Sequence, residues 1–280
     1  MILESGEYVN FTGFLTALPA FDYDETAFKT NKLEIVLKLE GMTALVTGGA
    51  KRVGREIALA LARQHAQVAI SYQTSRKEAE KTVSEMEVLG VKALAVAADI
   101  AKANDVDKLI RTVNKTLGSL DILINNAAIY EETPFDKLTE AQWDRHLEAN
   151  LKGTFLCARA ASEIMRKKGR GKIINIADWS GMRPYKNYLP YCVSKAGVIA
   201  LTKALAIELA PAIQVNCVCP GPVLLPETYG EKERKAIITE TPLARLGSPE
   251  DISSAVLFFI QGSDFITGAI LPVDGGRLIA

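Results

Sequence analysis

Tyr191 and Lys195 stand four positions apart where an amphipathic pattern begins, so one helix would carry both side chains on the same face. An ammonium beside a phenol favours the phenolate. It draws the tyrosine pKa from about 10 toward the working pH, which suits Tyr191 to hand a proton to a substrate being reduced. The spacing arises often by chance, and a tyrosine packed at a helix start reads the same way. Its position adds weight: Tyr191 follows an apolar strand at 172–176 and its loop, on the side of the sheet where a glycine turn also falls.

That turn reads Thr47-Gly48-Gly49-Ala50-Lys51-Arg52-Val53-Gly54 and joins a first strand to a helix rich in alanine and leucine. Glycines let the backbone bend sharply and approach a pyrophosphate, while the free N–H groups and positive dipole end of the helix stabilise phosphate charge. A plain tight strand-to-helix turn is the competing reading. The second strand ends in Ser71-Tyr72-Gln73-Thr74, with no acid to bond an adenine ribose and repel a 2′-phosphate. Hydroxyls at Thr74 and Ser75, with cations at Arg52, Arg76 and Lys77, would accept that phosphate, so the cofactor is expected to be NADP(H). The alternative for Arg76 and Lys77 is a solvated first turn of the next helix.

These side chains need elements to position them. Short apolar runs alternate with amphipathic helical patterns: MTALVT then REIALALARQ, QVAISY then KEAEKTVSEMEVLG, KALAVAAD then DVDKLIRTVNKTLG. The alternation continues through LDILINNAA, a helix at about 143–168, KIINIA, a helix at about 190–209, QVNCVCPG, a helix near 252–260 and a strand near 270–273. Continuous apolar strands alternating with crossover helices predict an α/β fold: a single-domain, Rossmann-type, doubly wound parallel sheet of about seven strands and six helices over residues 39–280. Ligands of such sheets bind beyond the carboxyl ends of the strands. The segment 222–249 is polar and bounded by prolines, which suits a lid. Residues 1–38, with Phe11, Phe14, Phe21, Tyr23 and Phe28 among polar residues, sustain neither period and are taken as an N-terminal extension of unknown role.

Composition narrows the function classes. Of 280 residues 48% are apolar and 24% charged, as in a globular protein, and 33 basic side chains balance 33 acidic ones. A net charge of zero offers no field for nucleic acid or an anionic membrane, so neither is expected as a partner. Four unpatterned cysteines and two histidines supply no metal ligand set and fit a reducing cytoplasm. Cys217 and Cys219 would share a strand face as packing residues, and His65 and His146 are expected to be structural. No apolar run approaches the roughly 20 residues that span a bilayer, and acids stand where a signal peptide needs positive charge, so a cytoplasmic location is expected.

Taken in order, the Thr47–Gly54 turn, Asp99 after the third strand, Asn125-Asn126-Ala127 after the fourth, Asn150, Tyr191 with Lys195, and Pro220-Gly221 resemble the short-chain dehydrogenase/reductase family over residues 39–280. The resemblance implies a cofactor site of Gly48, Lys51, Arg52, Val53, Gly54, Tyr72, Thr74, Ser75, Asp99, Ile100, Asn126, Ala127, Tyr191, Lys195, Pro220 and Gly221. Within it Asp99 would contact the adenine and Lys195 the nicotinamide ribose. It also implies that Asn150 holds a water in a proton relay to Lys195, and that the protein is a homotetramer.

Three positions depart from the commonest pattern of the family: Arg52 replaces a glycine of the turn, Asp178 replaces the usual serine, and Ala128 replaces the glycine after Asn-Asn-Ala. The first two look like the pteridine reductases. That likeness implies Asp178, Tyr191, Lys195 and Asn150 as catalytic, and Arg52, Tyr130, Asp178 and Tyr191 as substrate-binding, with the Tyr130 ring on a pterin. Ser180 could instead supply the hydroxyl in a shifted register, leaving Asp178 a solvated acid, and Trp179, Arg183 and Tyr185 share its loop. The expected activity is NADPH-dependent hydride transfer to a C=N or C=O bond of a small molecule, with a pterin favoured. The alternatives are a 3-oxoacyl or other carbonyl reductase, which would be expected to prefer serine at 178, and a non-catalytic NADP(H)-binding regulator.

Overall fold

The computed structural model describes residues 39–225 and 229–280, so the expected N-terminal extension at 1–38 lies outside the described residues. Seven strands form one sheet: β1 (Thr43–Val46), β2 (Gln67–Tyr72), β3 (Ala93–Ala97), β4 (Ile122–Asn125), β5 (Gly171–Ile176), β6 (Ile213–Pro220) and β7 (Ile270–Val273). Their order is β3-β2-β1-β4-β5-β6-β7. Every pairing is parallel, with Val46 beside both Ile70 and Ile124. The chain winds outward from β1 through β2 to β3, then returns to start the other half at β4. The crevice at that reversal is where a doubly wound sheet binds its ligand.

Strand side chains alternate between two apolar layers because successive Cβ atoms point to opposite faces. Ala44, Val46, Val68, Ile70, Ile122 and Ile124 face one layer and Leu45, Ala69 and Leu123 the other. The first layer is covered by α1 (Arg52–Arg63), α2 (Arg76–Val88) and α8 (Pro249–Gln261), which bury Ile57, Leu61, Met86, Ile252 and Val256. The second is covered by α3 (Ala103–Leu117), α5 (Gly153–Lys168) and α6 (Leu189–Glu208), which bury Leu109, Val113, Met165 and Leu205.

The helix expected at 143–168 begins earlier and is not continuous. A capping box between Thr139 and Gln142 starts α4 (Glu140–His146), and a π-helical turn at Leu147–Lys152 separates it from α5. Such turns shift the residues after them around the helix axis, and this one carries Asn150. The polar 222–249 segment contains a helix that the sequence reading omits, α7 (Glu231–Thr239). Its charged run, EKERK, gives no apolar periodicity to read.

Among the described residues α6 alone is long and apolar enough to cross a membrane, with a mean hydropathy of 1.2, and half of that stretch is buried inside the protein. Cys217 and Cys219 pack with Ala177 and Val198, their sulfurs 3.8 Å apart. His146 is buried, its Nδ1 2.8 Å from the Gln142 carbonyl, and His65 takes a positive φ of 65° in the turn after α1.

Candidate active site

The glycine turn is built by contacts across the sheet. Thr47 Oγ1 accepts the backbone N–H groups of Asn126 (3.0 Å) and Ala127 (3.1 Å). In return the Asn126 side-chain amide donates to the carbonyls of Thr47 (2.9 Å) and Gly48 (3.1 Å). Ser71 closes the other side, its hydroxyl and carbonyl accepting from the N–H of Gly48 (3.3 Å) and Gly49 (3.1 Å). Gly48 has φ +62°, and a Cβ there would stand 2.9 Å from the Ala127 Cα; a Cβ on Gly54 would collide with the Asn126 amide and the Gly48 carbonyl. The first turn of α1 has no capping side chain and no acid, so its N–H groups and dipole are left for an anion. A cradle without room for a methyl group, opening on an uncapped helix start, fits a dinucleotide pyrophosphate.

One cleft of about 1260 Å³ runs from this turn across the carboxyl ends of the strands. Every residue expected at the cofactor site, from Gly48 to Gly221, lines it, and so do Tyr130 and Asp178. Asn150 is buried behind the wall. Its Oδ1 accepts from the N–H of Ile129 (2.8 Å), and its Nδ2 donates to the Ile129 carbonyl (3.0 Å) and to Ser194 Oγ (3.0 Å). Its side chain therefore ties the loop after β4 to the helix that carries Tyr191 and Lys195.

At the floor of the cleft the Tyr191 hydroxyl donates to Asp178 Oδ2 at 3.1 Å, while Asp178 Oδ1 accepts the Ser180 N–H at 2.8 Å. Lys195 Nζ donates to the Ile176 carbonyl (2.9 Å) and lies 5.7 Å from the centre of the Tyr191 ring. Burial pushes the Asp178 carboxyl above its ordinary pKa, and bonds from Ser180, the Lys195 charge and the Tyr191 hydroxyl only partly offset this. Burial likewise pulls the Lys195 ammonium down, opposed by Asp178. Aromatic side chains form the opposite wall: Tyr130 stacks on Tyr188 (4.5 Å, 11°) and meets Tyr191 edge-on (4.8 Å), and Trp179 stacks on Tyr185 (5.5 Å). Such pairs contribute about 0.5–1.5 kcal/mol beyond their area.

Residues 48–277 match the family model described as enoyl-(acyl carrier protein) reductase. The chain belongs to the short-chain dehydrogenase/reductase family. It is 37% identical over 238 residues to 3-oxoacyl-[acyl-carrier-protein] reductase FabG of Staphylococcus aureus, a match covering 84% of this chain and 97% of the relative. It is 38% identical over 245 residues to (2S)-[(R)-hydroxy(phenyl)methyl]succinyl-CoA dehydrogenase subunit BbsD of Thauera aromatica, covering 85% and 97%. Among solved structures, 7α-hydroxysteroid dehydrogenase complexed with NADH and 7-oxo glycochenodeoxycholic acid superposes with a TM-score of 0.82 at 31% identity, covering 86% of this chain and 96% of that one. A variant actinorhodin polyketide ketoreductase with NADPH gives 0.81 at 30%, covering 85% and 98%.

As a short-chain dehydrogenase/reductase the protein is an oxidoreductase, and its geometry corrects the sequence reading in two places. The expectation that Lys195 lowers the Tyr191 pKa does not hold. Burial first, and the Asp178 carboxylate second, hold the phenol well above its ordinary value, because the carboxylate bonds the hydroxyl directly whereas the ammonium faces the Ile176 carbonyl. Of the cations expected near a 2′-phosphate, Arg52 lines the cleft, whereas Arg76 pairs along α2 with Glu80 (2.8 Å) and neither it nor Lys77 lines the cleft; Lys51, not expected in that role, lines it as well.

Arg52 has φ +56° where the commoner family pattern has glycine, and its Nη2 donates to the Leu224 carbonyl at 2.8 Å. Asp178 is not a free loop acid, since both oxygens are bonded. The sequence reading missed Thr47 and Ser194 as positioning groups, and also Arg277, which lines the cleft with its guanidinium over the Trp179 ring at 5.4 Å. No local signal links Arg277 to a loop some hundred residues earlier.

Proposed function

We propose that this protein is an NADPH-dependent reductase that adds hydride to the carbonyl of a 3-oxoacyl thioester, with Tyr191 supplying the proton. The observation that carries the reading is the Tyr191 hydroxyl at the cleft floor, bonded to Asp178 at 3.1 Å and one helical turn from Lys195. Gly48, Gly54 and the start of α1 would hold the pyrophosphate, and Lys51, Arg52, Thr74 and Ser75 the adenine-side phosphate. When bound, the nicotinamide supplies the hydride. Tyr191 gives its proton to the oxygen that gains charge, Asp178 returns a proton to the phenolate when it is itself protonated, and Lys195, held at the Ile176 carbonyl, would bind the nicotinamide ribose. Asn150 keeps Ile129 and α6 in place around this group and is the proposed seat of a relay water toward Lys195.

The substrate class is supported by the 3-oxoacyl reductases among the relatives, and by a cleft large enough for an extended acyl chain. A second reading, a dihydropterin C=N bond, is favoured by one observation: the acid at Asp178, whose carboxyl group offers two oxygens to ring and amino N–H groups where a serine offers one. NADPH oxidation followed at 340 nm with acetoacetyl-CoA and with dihydrobiopterin separates the two. Turnover of the thioester alone supports the first, turnover of the pterin alone replaces it with the second, and turnover of neither overturns both. A cytoplasmic homotetramer is proposed with this reading; light scattering on the purified protein checks the assembly.

A further inference from the structure

Beyond the reacting groups, the cleft holds a cation that the mechanism does not use. Arg277 follows Gly275 and Gly276, whose φ values of 66° and 88° turn the chain back on Asp274, and Asp274 accepts from the N–H of Gly276 (2.9 Å) and Leu278 (2.7 Å). Arg183, on the loop after Asp178, donates to the carbonyls of Arg277 (2.9 Å) and Ala280, which pins this turn against the substrate wall. The Arg277 guanidinium is aimed by three contacts: the Trp179 ring at 5.4 Å, the Ile237 carbonyl at 3.1 Å and the Glu240 carboxylate at 2.6 Å.

These contacts are unequal. The Arg277 side chain is only 14% exposed, and Trp179 and Ile237 belong to elements packed around it; Glu240 is 65% exposed. An ion pair to so exposed a carboxylate is weak, so an incoming oxyanion can take its place at small cost while ring and carbonyl keep the guanidinium pointed. Glu233 of α7, which also lines the cleft, is exposed as well.

We propose that Arg277 is a specificity-determining residue that binds an oxyanion of the substrate, displacing Glu240. Trp179 follows Asp178 directly, so the anion sits on the substrate's tail, beyond the group being reduced. The inference rests on the proposed reductase site and names what its substrate must carry: a phosphate, as on a pantetheine thioester, or a carboxylate, as on a conjugated pterin. An uncharged ketone or pterin would leave Arg277 with Glu240.

Binding is read from the fluorescence of Trp179 in a Trp143→Phe background, since the chain has two tryptophans. The protein is titrated with acetoacetyl-CoA and dihydrofolate as charged probes, and with ethyl acetoacetate and dihydrobiopterin as uncharged ones. Arg277→Gln is expected to weaken at least one charged probe tenfold or more and the uncharged probes less than twofold. Loss with the thioester alone assigns a phosphate, and loss with dihydrofolate alone a carboxylate. Glu240→Gln is expected to tighten the same charged probe at least twofold, which keeps the test open if Arg277→Gln does not fold. Equal losses for charged and uncharged probes, no loss, no tightening, or no quenching by any probe would overturn the inference. If neither substrate class is reduced, the proposed function falls while these titrations still decide the role of Arg277.

Discussion

The hydroxyl of Tyr191 donates to Asp178 Oδ2 across 3.1 Å, and Lys195, four residues along the same helix, reaches the Ile176 carbonyl and not the phenol oxygen. The acid–base character of the site thus depends on a carboxyl–phenol pair. Its first consequence concerns the proton donor. Tyr191→Phe keeps the ring and its edge contact to Tyr130 but removes the only transferable proton on that side chain. General acid catalysis contributes about 100-fold or more, so kcat should fall by at least that factor. NADPH binding, measured by fluorescence titration, should stay within a few-fold. Turnover near that of the parent would remove Tyr191 from the mechanism.

Asp178 makes a prediction that needs no substrate. Its carboxyl titrates above the ordinary range because burial disfavours the charge. The folded protein therefore holds the proton to higher pH than the unfolded chain, and stability declines as pH rises from the unfolded value of about 3.9 through the folded one. Asp178→Asn removes the charge, keeps one oxygen to accept the Ser180 N–H and turns an amide N–H toward the Tyr191 oxygen, which can accept it. It should raise Tm by about 2 °C or more at pH 7–8, with the gain fading below about pH 4. A Tm gain independent of pH would mean that burial of this charge is not the cause.

Cofactor choice follows from what lines the adenine end of the cleft. With no acid between Tyr72 and Ser75, and Lys51 and Arg52 on the wall, NADPH should bind more tightly than NADH by about 1.5–3 kcal/mol, as charge-assisted bonds to a 2′-phosphate provide. Arg52→Ala should remove part of that difference; Arg76→Ala, whose side chain is paired with Glu80, should not. Equal dissociation constants for the two cofactors by calorimetry would refute the preference.

Asp121 carries the opposite pH dependence. Buried at the start of β4, it accepts from the Thr43 N–H (3.0 Å) and Ser119 Oγ (2.8 Å) and is paired with Lys168. Burial opposes its charge, but these donors and the ammonium prevail and hold its pKa below the usual carboxylate value. Its contribution is then complete above about pH 4 and is lost as pH falls through the depressed folded value. Asp121→Asn should cost about 2 kcal/mol by urea unfolding at pH 7, with a smaller gap at pH 3.5. A gap of the same size at both pH values would assign the loss to packing.

What could be read from the order of residues is what depends on near neighbours. Buried parallel strands are short continuous apolar runs and their crossover helices repeat at 3.6 residues, so β1 through β7, α1, α2, α3, α6 and α8 are visible in local hydrophobicity. Tyr191 and Lys195 share a face by helix geometry alone, and the glycines of the first turn mark where a methyl group has no room. Tertiary structure decided the rest, because the deciding contacts join residues far apart in the chain. Asn126 seals the glycine turn through Thr47, 79 positions away, and Asn150 reaches Ser194 across 44. The π-helical turn that aims Asn150 replaces what periodicity reads as one helix, and α7 has no apolar stripe to announce it. The Tyr191 pKa moves opposite to the direction expected from its neighbour in sequence. Burial and a carboxylate from another loop act on the phenol more strongly than an ammonium bonded elsewhere, and only packing determines which group comes nearest.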